Sequence, residues 1–186
     1  NEKTDENGNK QVEKLIKFEK SQNFSFDLKT PTFTMPITKK SIVGYSALTG
    51  VTENIPDAHN IPKDKDYSYS VESEKALKVH NKSVIVTPML NTHHEIIGVL
   101  QLFNKKRNFN ANISDPTVFD DQVVPFNDDD IEIVTSFASQ AGVTLENSLL
   151  YKEINAIFEG FIRASVTAIE SRDPTTSGHS GRVALL

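Results

Sequence analysis

The stretch Ser83–Lys106, SVIVTPMLNTHHEIIGVLQLFNKK, constrains the fold more than any other, because it reads as a complete β-hairpin with apolar residues on both faces. Its first strand, Ser83–Met89, carries Val84, Ile85 and Val86 in succession. The second, Ile96–Phe103, sets Ile96, Gly98, Leu100 and Leu102 on one face and Ile97, Val99, Gln101 and Phe103 on the other, where Gln101 is the one strongly polar residue. A strand apolar on both faces is expected to be central in its sheet and covered from both sides, by helices on one and by a second layer or a pocket on the other. The polar tip, Leu90–Glu95, is the turn.

Such a sheet in a chain of 186 residues implies one domain with an appendage. The hydrophobic content of 37% is low for a compact globule, but the polarity is concentrated at the N-terminus and in two loops. A net charge of −5 with scattered lysines and arginines argues against a nucleic-acid face. The absence of cysteine excludes disulfides, thiolate metal sites and a thioether-linked chromophore, and it fits a reducing, cytoplasmic location. No apolar run approaches the roughly 20 residues of a membrane helix, and no signal peptide is visible, so no membrane partner is expected. The chain opens without Met and stops at Val183-Ala184-Leu185-Leu186 in mid-helix pattern, as expected of a stretch of a longer protein.

In chain order, residues 1–11 are polar and expected to fray. Val12–Glu19 alternates as a charged edge strand, and Phe24–Ile37, with Pro31 and Pro36, is an extended crossing. Ser41 is a fitting N-cap for a short helix, Ile42–Leu48, closed by Gly50. Asn54–Lys65 reads as loop and Tyr67–Val79 as a weak helix or a lid. Arg107–Pro125 is a long polar insertion without periodicity. Asn127, followed by three aspartates, opens a helix whose seam Ile131, Val134, Ala138, Ala141 and Leu145 has heptad spacing. A second stripe, Ile154, Phe158, Phe161, Ile162, Val166 and Ile169, continues it to Asp173-Pro174. A helix of roughly 40 residues that leaves its own domain is expected to pair with a second copy.

Several blocks resemble a known family. Ser41-Ile-Val-Gly-Tyr-Ser-Ala-Leu-Thr-Gly50, Asn54-Ile-Pro-Asp-Ala58, Val86-Thr-Pro-Met89, Ile97-Gly-Val-Leu-Gln-Leu-Phe-Asn-Lys105 and Phe126-x-x-x-Asp130 follow, in order, the pattern of a GAF domain of the cyclic-nucleotide phosphodiesterase and cyclase type. The resemblance covers about residues 12–150. It implies an α/β (α+β) fold, with a central antiparallel sheet, helices on one face, a small-molecule pocket on the other, and a long C-terminal signalling helix over residues 151–170. Within it, Asn104, Lys105, Phe126 and Asp130 match the family's signature, while Ile131 stands where the family carries Glu. A second resemblance covers Ala168–Val183, whose Asp-Pro-x-Thr-x-x-His-x-x-Arg register is similar to the opening of an HD-GYP domain, a phosphodiesterase module that hydrolyses cyclic di-GMP. It implies that residues 171–186 begin such a domain, with His179 as a metal ligand and Fe or Mn as its divalent metal. No cofactor is implied for the GAF part.

The candidate ligand-contacting residues are Tyr45, His59, Tyr67, Tyr69 and Thr87. Tyr67 and Tyr69 suit stacking on a planar ligand such as a purine, or simple packing of the lid on the sheet. His59 and His80 flank the expected pocket, and solvated positions are the favoured expectation for both. His93 and His94 fall at the hairpin tip, where adjacent residues point apart, and do not suit a metal. Lys105 and Asp130 suit an ion pair between sheet and exit helix, or else a helix-capping Asp130 beside a solvated lysine. No clustered His/Asp ligand set, cysteine nucleophile or phosphate loop is visible over residues 1–150, so this stretch is expected to be non-catalytic. The leading expectation is a sensor that binds a small ligand such as a cyclic nucleotide and relays its state through a dimeric helix to an HD-GYP hydrolase. A ligand-free dimerisation module is the alternative.

Overall fold

The hairpin forms where the alternation places it. In the computed structural model, which describes residues 2–4, 10–12, 14–18, 34–77 and 79–172, its strands are Val84–Leu90 (β6) and Ile96–Phe103 (β7), numbered after the five that precede them. A third strand, Glu53–Ile55 (β5), pairs antiparallel with β6 through Glu53↔Val86 and Ile55↔Val84, giving the order β5-β6-β7. Among the described residues β6 is the middle strand of this sheet and β7 lies at its end. Val84, Ile85, Val86 and Thr87 of β6 are fully buried, whereas β7 is half-buried on both faces and ends in exposed Leu102 and Phe103. Apolarity on both faces reports partial cover on both sides, which a strand at the end of the described sheet also has.

Two further ladders precede this sheet. Glu2–Thr4 (β1) pairs with Lys10–Val12 (β2), where polarity alone suggested a frayed start, and Leu15–Lys17 (β3) pairs with Thr34–Pro36 (β4). Helix Ile42–Thr49 (α1) is bounded as its caps dictate. The Ser41 hydroxyl accepts from the Gly44 N–H, and Gly50 closes the helix at φ 72°, a left-handed conformation that costs glycine little. Within the expected loop, Ala58–Asn60 forms a 3-10 turn, and Val71–Leu77 (α2) is the weak helix.

The insertion after β7 is better ordered than its polarity suggests. Pro116–Gln122 (α3) buries Phe119 with Ile113 and Val123 in a small satellite core. Its ends are stitched by Arg107 N–H to Gln122 O (2.8 Å) and Val124 N–H to Lys105 O (2.9 Å). Three apolar residues at irregular spacing leave no periodic signal, yet they are enough to close a loop on itself.

Helix Asp128–Arg172 (α4) runs 45 residues. The chain divides into two compact units, residues 1–143 and 144–186. Within the first, Val134 and Ala138 are buried and Ile131 and Ala141 half-buried, so this part of the heptad seam packs on the domain itself. A Cβ on Gly142 would stand 2.1 Å from the Leu90 carbonyl oxygen, so helix and strand meet there backbone to backbone. Within the second unit, the described helix exposes Leu149, Leu150, Tyr151, Ile154, Ile157, Phe158, Phe161 and Ile169. No helix among the described residues is long and apolar enough to cross a membrane. The fold is thus mixed α/β, with antiparallel sheets and a long C-terminal helix.

Candidate functional site

Strand alternation gives the β5-β6-β7 sheet two distinct faces. Glu53 and Ile55 share one with their ladder partners Val86 and Val84, and this face is covered by Ile42 and Tyr45 of α1 and by Ala58, Ile61, Tyr67 and Tyr69 of the segment that follows β5. Asn54, Ile85 and Thr87 face the other way. There the Asn54 amide donates to the Phe126 carbonyl at 3.0 Å, immediately before α4.

The covering segment, residues 57–81, is fastened to the domain by two buried carboxylates. Glu53 on β5 accepts from the Tyr67 hydroxyl at 2.7 Å and from the Lys65 ammonium at 3.0 Å. Burial, reinforced by the Glu53 carboxylate, pushes the Tyr67 phenol up to about 12. The same carboxylate's hydrogen bond raises the Lys65 ammonium, against the effect of burial. The ring of Tyr67 is buried against Tyr45, with centroids 5.0 Å apart.

Glu74 of α2 is the second. One of its oxygens accepts from the Asn81 N–H at 2.7 Å and lies 2.9 Å from His80 Nδ1, and the other lies 3.4 Å from His59 Nε2. Asp57 orients this corner by accepting from the His59 N–H at 2.9 Å and from the Asn60 amide at 2.7 Å. Burial raises the Asp57 carboxyl, but these bonds outweigh it and leave the group below its ordinary value. The His59 ring meets Tyr69 edge-on at 5.5 Å, and the His80 ring lies 4.5 Å from Phe119 of the insertion. Burial also raises the Tyr69 phenol, whose oxygen accepts from the Asn81 amide at 2.7 Å.

The signature residues connect this corner to the exit helix. Asn104, held at φ 57°, accepts from the Lys82 N–H at 2.8 Å and donates to the His80 carbonyl at 2.7 Å. The next residue, Lys105, forms an ion pair with Asp130 in the first turn of α4. Asp130 also accepts from the Asn127 N–H (2.7 Å) while the Asn127 side chain accepts from the Asp130 N–H (2.9 Å), a reciprocal cap. Both expected roles of Asp130 are therefore filled at once. Burial works against its ionisation, but Lys105 and the Asn127 N–H hold the carboxyl below its ordinary value.

Of the residues singled out from sequence, Tyr45 and Tyr67 come together, as do His59, Tyr69 and His80, and the packing role applies to Tyr67. Thr87 is fully buried on the opposite face, with its hydroxyl 2.8 Å from that of Thr52. His59 and His80 keep exposed positions, as expected, while a nitrogen of each ring also reaches Glu74. The expectation that no histidine–carboxylate cluster exists before residue 150 is therefore corrected. His93 and His94 sit exposed at the hairpin tip, as expected, with His94 at φ 61°. His179 lies outside the described residues. Glu53, Lys65 and Glu74 gave no sequence signal, since each acts with partners on other elements.

The GAF domain family model matches residues 5–145. The chain is 25% identical over 132 residues to the dual 3',5'-cyclic-AMP and -GMP phosphodiesterase 11A of Takifugu rubripes, a match covering 71% of this chain and 12% of that protein. It is 30% identical over 112 residues to the dual 3',5'-cyclic-AMP and -GMP phosphodiesterase 11 of Drosophila melanogaster, covering 60% of this chain and 6% of that protein. To the cGMP-specific 3',5'-cyclic phosphodiesterase of Drosophila pseudoobscura pseudoobscura it is 27% identical over 115 residues, 62% of this chain and 9% of that one. The chain thus spans between 6% and 12% of the length of these relatives. A solved structure described as that of the GAF domain aligns with a TM-score of 0.38 and 18% identity, over 59% of this chain and 46% of that one.

Proposed function

This chain belongs to the GAF domain family, and on that premise we propose that it is the regulatory module of a signalling phosphodiesterase, sensing a small ligand of the cyclic-nucleotide class and passing its state along α4. The observation that carries this reading is the double use of Asp130, which ties the end of β7 to the first turn of a 45-residue helix. A change in the sheet that moves Lys105 pulls on the same carboxylate that caps the helix. The face of Val84 and Val86 is occupied by Ala58, Tyr67 and Tyr69, so ligand entry requires the 57–81 segment to lift. The Ala168–Val183 motif supports an HD-GYP domain acting on cyclic di-GMP as the receiver, its Fe or Mn held by that domain's own residues, His179 among them. Residues 1–172 are assigned no hydrolytic step.

Calorimetry with cyclic AMP, cyclic GMP and cyclic di-GMP tests the reading, together with hydrogen exchange over residues 57–81. Saturable binding of one of them, with altered exchange in that segment, is the expected result. No heat at millimolar ligand favours the second reading, a ligand-free dimerisation module, which the self-filled sheet face also supports. Both readings include a homodimer through the exposed apolar residues of α4, an arrangement that removes Phe158 and Phe161 from water. Phe158→Lys with Phe161→Lys is expected to yield monomers in sedimentation, and an unmodified chain already monomeric at high micromolar concentration rules the dimer out.

A further inference from the structure

Glu74 is a buried carboxylate, its side chain 6% exposed, and among the described residues no lysine or arginine pairs with it. Its recorded partners are two imidazoles and one backbone N–H. Taking an ionised carboxylate out of water requires compensating positive charge or several hydrogen bonds. Two imidazole nitrogens and a carboxylate, supplied by three separate elements, are also the donor set that borderline divalent metals select. We propose that His59 Nε2, Glu74 and His80 Nδ1 hold a divalent transition-metal ion, with Zn²⁺ the preferred occupant.

The donor atoms all lie within 4.8 Å of one another, with 2.9 Å and 3.4 Å between the carboxylate oxygens and the two nitrogens. Ligands of a tetrahedral zinc with bonds of about 2.0–2.2 Å stand roughly 3.3 Å apart, so small turns of the rings suffice. The His80 side chain is 58% exposed and the His59 side chain 33%, which leaves both room to turn and the ion a path from solvent. Calcium and magnesium are disfavoured, because both prefer an all-oxygen shell. Groups around the ligands hold them in place: the Asn81 N–H bonds Glu74, Asp57 fixes the His59 backbone, and Asn104 holds the His80 carbonyl. Three protein ligands leave one position for water or for an anionic group. The ion pins the 3-10 turn, α2 and the approach to β6 to one another. This site goes beyond the sensing reading and stands whether or not a cyclic nucleotide binds.

The chain stripped with chelator is titrated with Zn²⁺ by calorimetry and with Co²⁺ by visible absorption. The expected result is one zinc per chain and the intense bands of tetrahedral cobalt. His59→Ala and His80→Ala each lower zinc affinity by about 100-fold or more, at least the loss that removal of an outer-shell partner already produces. The chain holds five histidines, so the paired change His93→Ala and His94→Ala is the control and leaves binding intact. If His59→Ala fails to fold, the exposed His80→Ala carries the test. No zinc retained by the unmodified chain overturns the proposal, as does binding that survives loss of both His59 and His80 or that depends on His179 instead.

Discussion

Glu53 and Glu74 do the same mechanical work with different chemistry. Both are buried carboxylates that fasten the 57–81 segment, but Glu53 meets an ammonium and a phenol, whereas Glu74 meets two imidazoles. Lysine is charged at any physiological pH, so the first fastening is permanent. Imidazole coordinates metals, so the second is conditional on the ion proposed there. A cover held at one point permanently and at another conditionally can loosen at one end without coming off.

Four substitutions break or sharpen that contrast. The largest expected loss is Glu53→Ala, about 3 kcal/mol, the upper end for orphaning a buried donor, because it strands the Tyr67 hydroxyl and also frees the partly exposed Lys65. Urea midpoints measure it, and zinc should leave the loss unchanged. Glu74→Ala is expected to cost about 2 kcal/mol in chelator, the scale of orphaning buried partners. With free zinc at 100 times its dissociation constant the gap to the unmodified chain should widen by about 2.7 kcal/mol, and an unchanged gap would mean that the second fastening is no more conditional than the first. Tyr67→Phe removes a single donor to Glu53 and should cost about 1 kcal/mol. A loss as large as that of Glu53→Ala would place most of the strength in the phenol.

The smallest effect supplies a partly exposed reference. The Lys105 and Asp130 side chains are 28% and 25% exposed, and Asp130→Asn should cost under about 1 kcal/mol. Because the folded Asp130 carboxyl titrates below its ordinary 3.8, its contribution is complete above that pH and fades as the pH falls through the lower folded value. The gap between unmodified chain and variant therefore closes on acidification and is flat through neutrality, as denaturant midpoints at a series of pH values would record.

The parts legible in the sequence are those governed by local rules. The hairpin follows from period-two alternation, α1 from Ser41 and Gly50, and the start of α4 from Asn127 and Asp130, where side chain and backbone lie within four residues of each other. The Glu74 corner was illegible because its three groups are separated by 15 and 6 residues and sit on a 3-10 turn, a helix and a connection, so no periodicity links them. That Thr87 lies on the face away from Tyr67 was illegible for a related reason. Its face depends on the register with β5 and β7, and a residue at the right place in a motif still points where the pleat sends it.

The contact between Gly142 and the Leu90 carbonyl limits how α4 can move. A helix that steps along its axis by one residue advances about 1.5 Å and turns about 100°, bringing a neighbouring side chain to the place its predecessor held. At this crossing the neighbours are Ala141 and Val143, and even a methyl group would stand 2.1 Å from the strand's oxygen. The joint is keyed, like a shaft with one flat, and a piston stroke or a ratchet by one residue would jam against β6. Motion that reaches residues 128–143 from the sheet must carry strand and helix together, as a tilt about that flat or a change in the winding of the turns beyond it.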